Sequence, residues 1–461
     1  MDILKLPLEL FRAILAEAML ARGLTRALRL RLVNKFFAAE VVRMLAELKI
    51  LDEVEVVICE TGPIGAEYIT RRLLSSQSTL SPRLDNIRQI VSRLTLEGAA
   101  GGDGSVVDSA ERYSAYIGAL SSLLAKRCSF YMKSLFTSQD STADSIFEYD
   151  LLTAAAYTSK LSIVKELSDR EANTRVTTGT FGNPYAAATL GGHLMVLDHL
   201  LQQAELHKNG PSGIWWTQLC SASQAGSRKV VEHLLTAKWS SSFKKNHSSF
   251  TKFHEALRTP DVDTFNLLMQ FKPTSDGTIH EPLTGAQRAS LLLFAATNGS
   301  TEMVAHLLGL RTPTAGEDLE QIDMQAPLSA ACRYPAYPAY GSGFDAILRL
   351  LLQKGAKPKG DEIGRAAEKG RLGSVRILAE HGMDVKCGAA TPGYRSLPTP
   401  IVSAVRLEHT KLFCLLMKHG AVLAGEVGVA ATKLAKEEGL ESMLALLEEH
   451  GVNTEDADWK M

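Results

Sequence analysis

Histidines and cysteines are the side chains of this sequence that could bind a metal ion or act as nucleophile and base. The chain of 461 residues contains twelve histidines and six cysteines. The cysteines, at positions 59, 128, 220, 332, 387 and 414, form no Cys-x-x-Cys pair and are widely and irregularly spaced. This pattern argues against a zinc site or a disulfide framework and favours free thiols in a reducing compartment. We therefore expect a cytoplasmic or nuclear protein.

Half of the histidines occupy two fixed positions of a repeated pattern. Three precede a leucine pair and three precede a glycine: His199, His233 and His306, and His381, His419 and His450. Equivalent positions in neighbouring packed helices lie about 10 Å apart, whereas zinc needs its ligands at about 2 Å. A row of histidines with the wider spacing cannot share one ion, so we expect neither a metal site nor a cofactor.

Other signatures of catalysis are absent from the sequence. It contains no His-Glu-x-x-His, no Gly-x-Ser-x-Gly and no Gly-x-x-x-x-Gly-Lys motif. The glycine-rich segment 98–105 follows no strand pattern, and we interpret it as a flexible linker. We predict that the protein is not an enzyme. An enzyme with an unrecognised site in residues 51–150 is the alternative that stays open.

The charge and hydropathy of the chain limit its partners. It carries 50 Lys and Arg against 51 Asp and Glu, a net charge of -1. This balance gives no overall attraction to nucleic acid. No stretch approaches 18 uncharged apolar residues, so we expect no membrane span. A protein partner of unknown identity is the remaining expectation.

A segment of fourteen residues recurs through the second two-thirds of the chain and organises it. The copies are ATLGGHLMVLDHLL (188–201), ASQAGSRKVVEHLL (222–235), AATNGSTEMVAHLL (295–308), AAEKGRLGSVRILA (366–379), AVRLEHTKLFCLLM (404–417) and AKEEGLESMLALLE (435–448). Each copy begins with alanine, and glycine, or Glu408 in one copy, follows four positions later. Weaker copies give nine such glycine-slot positions: 159, 192, 226, 260, 299, 343, 370, 408 and 439.

Each feature of the repeated segment has a mechanical reason. Glycine can take positive φ at little steric cost, which ends one helix and allows another to start. In the second half of the copy, Val230, Val231 and Leu234 share one helical face. A helix pair of this size cannot bury its apolar face alone, so it must stack on the next pair.

Three copies also carry a proline ahead of the alanine, in NPYAAA (183–188), APLSAA (326–331) and TPIVSA (399–404). Proline is tolerated in the first helical turn. This pattern resembles the Thr-Pro-Leu-His-x-Ala signature of ankyrin repeats. The resemblance implies an all-α α-solenoid of about nine helix pairs over residues 150–455, with a short tail at 456–461.

The resemblance also implies the function, a non-enzymatic protein–protein interaction scaffold that binds a partner on the concave face of the array. In ankyrin arrays the variable outward positions lie two and three residues after the alanine. The predicted contact residues are Thr189, Leu190, Gln224, Thr297, Asn298, Glu368, Lys369, Arg406, Leu407, Glu437 and Glu438.

Residues 1–50 are predicted to form a helical head. LPLELFRAIL (6–15) has helical apolar spacing, and ALRLRLVNKFFAAEV (27–41) is predicted to form a single amphipathic helix. The head resembles an F-box, as do heads that precede ankyrin arrays in fungal proteins, although AEAMLARGLTRAL (16–28) replaces the short turn that the family has there. The resemblance implies binding of a Skp1-type adaptor, as in a substrate receptor of an SCF-type ubiquitin ligase, through Leu6, Pro7, Ile14, Leu15, Val33 and Phe37. The other interpretation is a cap over the open end of the solenoid, since terminal repeats need a covering.

Residues 51–149 have helical periodicity interrupted by low-complexity segments at 98–105 and 137–145. We expect a small helical region with flexible linkers that docks on the first helix pair.

Overall fold

A computed structural model shows the chain folded into two compact units, residues 1–246 and 247–461. It describes residues 6–58, 61–75, 81–100, 109–127, 131–137, 144–168, 179–206, 211–236, 255–271, 283–309, 324–333, 343–358, 360–386 and 399–454. The regular structure of these residues is helical, with one isolated antiparallel bridge between Val57 and Tyr131. The predicted all-α class is therefore confirmed for them. The predicted tail, 456–461, lies outside them, and the predicted boundaries at 50, 149 and 455 stay predictions.

The first unit begins with helices that belong to the head and to the region after it. They are α1 (Leu8–Arg29), α2 (Lys35–Glu47), α3 (Gly62–Leu74), α4 (Pro82–Ala100), α5 (Ser109–Arg127) and α6 (Met132–Thr137). Three helix pairs complete this unit: α7 (Asp144–Tyr157) with α8 (Leu161–Ser168), α9 (Pro184–Gly191) with α10 (Leu194–Leu206), and α11 (Pro211–Gln224) with α12 (Arg228–Leu234).

The second unit is built from helices of the repeated segments. The first described helix is α13 (Val262–Gln270). The pairs that follow are α14 (Gly285–Thr297) with α15 (Thr301–Gly309), α16 (Gln325–Arg333) with α17 (Phe344–Gln353), α18 (Asp361–Glu368) with α19 (Leu372–Glu380), α20 (Pro400–Arg406) with α21 (Thr410–Lys418), and α22 (Glu426–Glu437) with α23 (Glu441–Glu449).

Within each unit the pairs stack in two layers. The first helices pack on one another in the orders α7–α9–α11 and α14–α16–α18–α20–α22. The second helices do the same in the orders α8–α10 and α13–α15–α17–α19–α21. The predicted apolar face is buried between the layers, with Val230, Val231 and Leu234 all fully inaccessible. The helix pairs therefore have the stacked arrangement that the repeated segment predicts.

The turn inside each pair confirms the phase of the repeat. Backbone φ is positive, between 48° and 73°, at seven of the nine predicted slot positions: Ser159, Gly192, Gly226, Gly299, Gly370, Glu408 and Gly439. The amide of the residue after the slot donates to the carbonyl of the alanine that begins the copy. Examples are His193 N to Ala188 O at 3.0 Å and Leu440 N to Ala435 O at 2.7 Å. This six-to-one bond defines a Schellman cap. It explains why alanine and glycine are four residues apart.

Two predicted slot positions do not have the left-handed turn. Pro260 cannot take positive φ, because its ring fixes φ near -65°. Gly343 has φ -67° and is the N-cap of α17, which starts directly after it. A Cβ on Gly343 would lie 2.7 Å from the Gly299 carbonyl oxygen, so this glycine permits close approach of two neighbouring turns. The sequence match therefore placed Gly343 one residue out of phase.

The head does not contain the single helix predicted over 27–41. The helix α1 ends at Arg29, and a 3-10 turn at Leu30–Leu32 follows it. Asn34 is extended, and its Oδ1 accepts a hydrogen bond from Phe37 N at 2.9 Å. Asparagine is a strong N-cap residue because its side chain satisfies a free amide of the new helix. The cap therefore starts α2 and divides the predicted helix.

The helices that pack on the first helix pair belong to the region after the head. Within the first unit, α4 and α5 pack on α7, while α1 packs on α2 and α2 packs on α3. Arg93 of α4 also lies 3.8 Å from Glu166 of α8. Helices within 82–127 thus cover the first pair, and the interpretation of residues 1–50 as that cap is corrected.

Candidate functional site

The predicted contact residues lie at the C-terminal ends of first helices, just before the left-handed turn. Five are exposed: Gln224, Lys369, Arg406, Glu437 and Glu438. Five are half-buried: Leu190, Thr297, Asn298, Glu368 and Leu407. Leu190 and Gln224 belong to the first unit. Because α14, α16, α18, α20 and α22 pack in succession, the positions within the second unit form one row.

Thr189 does not belong to this surface. Its side chain is fully inaccessible, and its hydroxyl donates to Tyr185 O at 2.8 Å. The same hydroxyl lies 3.1 Å from Gln218 Oε1 on α11. Thr189 follows Ala188 by one residue only, which places it on the side of α9 that faces the next first helix. Its prediction as a contact residue is therefore wrong.

We call the row in the second unit, from Thr297 to Glu438, the first-helix row. Its side chains have mixed chemistry. Glu368, Arg406 and Glu437 occupy the same position in successive pairs and alternate in charge. Thr297 and Asn298 bond to carbonyls of their own helix, at 2.7 Å to Leu293 O and 2.9 Å to Phe294 O. Charged residues at its far end and internally bonded polar ones at its start make this row suited to contacts with a protein surface.

Two apolar residues beside the row were not predicted from the sequence. Leu293 is 37% exposed, and Phe294 is half-buried, both on α14 directly before Ala295. The signal was present in the run LLLF at 291–294. A surface helix buries one apolar stripe, so four consecutive apolar residues cannot all face the core.

The repeated histidines link neighbouring second helices. His199 Nε2 lies 2.9 Å from Ser168 Oγ, and His233 Nε2 lies 2.7 Å from Asp198 Oδ1. The His306 ring packs edge-on against Phe265 at 5.5 Å. Serine and histidine at this distance could form a nucleophile–base pair, but Ser168 is fully buried, so a substrate could not reach it. In the described part of the chain, no three His, Cys, Asp or Glu side chains converge as metal ligands.

The described cysteines are free thiols. Cys220 and Cys332 are buried, and Cys414 is exposed. Burial raises the pKa of Cys332, so this thiol is not an activated nucleophile. Cys59, Cys128 and Cys387 lie outside the described residues.

A buried polar cluster joins the elements of the predicted 51–150 region. The Tyr68 hydroxyl donates to Asp52 Oδ1 at 2.5 Å, and Arg72 Nη2 donates to Asp52 Oδ2 at 2.7 Å. Burial raises the pKa of Tyr68, so it remains a neutral phenol. The Arg72 guanidinium also lies over the Phe136 ring at 5.3 Å. These groups satisfy one another, which is the arrangement of a structural network.

Asp150 is a second buried charged group. It lies fully buried on α7, and its Oδ1 accepts from Thr180 N at 2.7 Å. Burial raises its pKa to about 6, although hydrogen bonds from Thr180 and Phe181 oppose this change. This hydrogen bond joins the turn before α9 to α7. Because Asp150 is buried, ionisation of its carboxyl group costs more free energy in the folded state than in the unfolded state.

The head residues predicted to bind an adaptor divide by exposure. Ile14 and Val33 are 47% and 59% exposed, and Pro7 is also exposed, whereas Leu6 is half-buried. Leu15 and Phe37 are buried in the head core, where the Phe37 ring lies 5.1 Å from Phe11. Further exposed apolar side chains lie on the same helices or beside them: Leu8, Leu10, Leu20 and Phe36. We call the exposed residues Leu10, Ile14, Val33 and Phe36 the apolar head surface.

The stacked helix pairs define the class as a helical-repeat protein. No family model matches the chain, and no curated protein matches it. Among solved structures, it is similar to the human ASB11 ankyrin repeat domain, at 18% identity over 64% of this chain and 96% of that chain, with a TM-score of 0.20. The stacked helix pairs themselves, which resemble ankyrin repeats, carry the fold assignment. None of the helices described is both long and apolar enough to cross a membrane.

Proposed function

We propose that the chain is a non-enzymatic scaffold that binds a protein partner through the first-helix row, in the cytoplasm or nucleus. The observation that carries the proposal is the row itself. Consecutive first helices present Glu368, Arg406 and Glu437 in register on a stacked, rigid support. Equivalent positions recur about every 10 Å, so several pairs can contact one extended protein surface.

Quantitative affinity purification with mass spectrometry tests this proposal. The full chain is compared with the double variant Lys369→Glu and Arg406→Glu, which reverses two exposed charges in the row. The control is Lys418→Glu, an exposed charge of the same sign on the second helix α21. We expect a set of proteins that the control retains and the double variant loses at least tenfold. Equal recovery by both variants, with unchanged melting curves, would contradict binding through the row.

We propose as a second candidate that the head binds a Skp1-type adaptor, so that the chain acts as a substrate receptor of an SCF-type ubiquitin ligase. The apolar head surface favours it, because exposed apolar side chains grouped on one small domain are typical of interaction sites. Two of the residues that carry the F-box resemblance, Ile14 and Val33, belong to this surface.

Binding of the full chain to a purified Skp1-type adaptor separates this candidate from the first. Ile14→Asp and Val33→Asp should abolish binding without unfolding the protein, because both side chains are exposed. Leu96→Asp, at a leucine that is 67% exposed on α4, is the matched control. The candidate is rejected if the wild-type chain shows no binding at micromolar concentrations, or if all three variants bind equally.

No described feature of residues 51–150 favours the third alternative, an enzyme with a site in that region, because its polar cluster around the half-buried Asp52 is internally bonded and its Tyr68 and Arg72 side chains are buried.

A further inference from the structure

We propose that an open cavity at the C-terminal ends of α2 and α3 binds an acidic peptide segment of a protein partner. The cavity has a volume of about 680 Å³. Four cationic side chains line it together with one carboxylate, two apolar residues and a serine: Arg43, Lys49, Arg71 and Arg72, Glu47, Ala46 and Leu74, and Ser75. This site lies outside the helix pairs, so the proposal goes beyond the scaffold function and does not depend on it.

The present ion pairs of the cavity arginines can be exchanged for a ligand. Arg43 pairs with Glu47 at 2.7 Å and Arg71 pairs with Glu67 at 2.8 Å, each across one helical turn with both side chains more than a third exposed. Exposed pairs of this kind contribute little to stability. Their guanidinium groups can therefore turn to an incoming carboxylate without leaving a buried charge unpaired.

Arg72 contributes to the cavity a guanidinium group whose position is fixed by an ion pair. Its side chain is 6% exposed and is held by Asp52 at 2.7 Å. Lys49 closes the other side from the turn after α2, at a non-glycine residue with left-handed φ 56°.

A cation from α4 already compensates the C-terminus of α3. Cations are favoured near the last turn of a helix because its free carbonyls carry partial negative charge. In α3, however, Arg88 already donates to Leu73 O at 2.9 Å and to Ser75 O at 2.6 Å. The Leu73 and Ser75 carbonyls therefore have a partner from α4, and the Arg71 and Arg72 guanidinium groups pair with Glu67 and Asp52 instead.

The surroundings favour a peptide over a free anion. Leu74 is 46% exposed at the cavity. On α2, Phe36, Ala39 and Arg43 follow one another at helical spacing, so an exposed face leads from apolar side chains to the cavity. Phe36 and Arg43 are seven residues apart, about 10 Å along the helix. A segment with carboxylates next to apolar residues can contact both, and guanidinium groups bind carboxylates through paired hydrogen bonds.

Fluorescence anisotropy with the full chain tests the proposal. The probe is a labelled peptide with four glutamates and two leucines, and the reference peptide has glutamine in place of every glutamate. We expect the acidic peptide to bind at 50 mM NaCl and to bind at least tenfold more weakly at 500 mM, where screening shortens the range of charge interactions. The triple variant Arg43→Gln, Lys49→Gln and Arg71→Gln should weaken binding by at least about tenfold, and Leu74→Ser by a few fold.

The matched control is Arg228→Gln, which removes an exposed pair of the same geometry, 2.8 Å from Glu232 on α12. It should leave the affinity unchanged, and circular dichroism should show that all variants are folded. The proposal is overturned if the acidic peptide does not bind at 50 mM NaCl or if the folded triple variant binds it as well as the wild type does. Displacement of the peptide by inorganic phosphate at equal concentration, with no effect of Leu74→Ser, would also overturn it, because the site would then recognise a free anion.

Discussion

The helix pairs of the second unit and the helices of the head are built from the same kinds of amphipathic segment, but their connections differ. In the pairs, a left-handed residue and a bond back to an alanine carbonyl end the first helix, as at Gly299 with Ser300 N and Ala295 O at 3.0 Å. In the head, an extended asparagine starts α2, and a side-chain ion pair, Arg12 Nε to Glu40 Oε2 at 2.6 Å, joins α1 to it.

This difference shows where the information for each fold lies. The turn in the pairs is local, because its bonds join residues five apart and recur in seven of the nine copies. The head depends on contacts between distant side chains, such as the Phe11 ring against Phe36 at 5.2 Å. The stack of pairs is therefore specified by turns that the copies encode locally. The fold of the head is specified by the packing of side chains that are distant in sequence.

The largest expected effect is on the core of the pairs. Leu234→Ala removes a fully buried side chain and should destabilise the first unit by about 2–5 kcal/mol, through lost burial and the cavity that remains. Urea unfolding followed by circular dichroism measures this change. Met195→Ala is the control, since Met195 is 71% exposed. A change below about 1 kcal/mol for Leu234→Ala would show that the core is not close-packed there.

The next effect tests the local turn. Gly299→Val should destabilise the second unit by about 2 kcal/mol, because φ is 73° at this residue and a β-branched side chain is disfavoured there. Thermal melting measures the loss. Gly118→Ala, in a helix and with open space around the new Cβ, is the control and should not destabilise. An unchanged melting curve for Gly299→Val would contradict the role of this turn.

A pH effect of intermediate size comes from Asp150. Its folded-state pKa of about 6 is above the ordinary value of 3.8, so the folded state binds the proton more tightly than the unfolded state does. Its contribution to stability therefore rises as pH falls through 6 and is lost as pH rises. From pH 7.5 to pH 5, the wild type should gain on the order of 1 kcal/mol relative to Asp150→Asn. Parallel urea titrations of both proteins would contradict this if their difference did not change with pH.

The smallest effect compares the same backbone state in both regions. Ser159 in the first pair and Lys49 in the head have positive φ of 62° and 56° without being glycine. Ser159→Gly and Lys49→Gly should each stabilise by about 0.5–1 kcal/mol, because glycine takes this conformation without steric cost. Lys369→Gly, where φ is -89°, should instead destabilise. Differential scanning calorimetry measures these shifts, and a loss of stability in both Ser159→Gly and Lys49→Gly would show that the turns are not strained.

The sequence was sufficient to predict what the local turns determine. Alanine and glycine four residues apart placed the pairs, and even Ser159 and Glu408 take the predicted backbone state. The sequence was not sufficient where packing against a neighbouring element decides how a residue is placed. Gly343 is the N-cap of α17 and closely approaches Gly299, and Thr189 lies one residue after Ala188, on the side of α9 that α11 covers.

The candidate surfaces were predictable only in part. Exposure at the ends of the first helices follows from the phase of the repeat, which correctly gave Arg406 and Glu437 as exposed. The cavity between α2 and α3 was not foreseen, since Arg43 and Arg71 come together only when two helices pack. No spacing within one helix could indicate that meeting.

In eight of the nine copies the second helix starts six residues after the alanine, as in Ala188 to Leu194 and Ala435 to Glu441. The exception is α16 and α17, where Phe344 comes thirteen residues after Ala331. Separations between successive pairs, by contrast, vary along the chain. Insertions and deletions are therefore tolerated where one pair passes to the next, and a lengthened connection there can add new recognition elements while the spacing of the helices beneath it is unchanged.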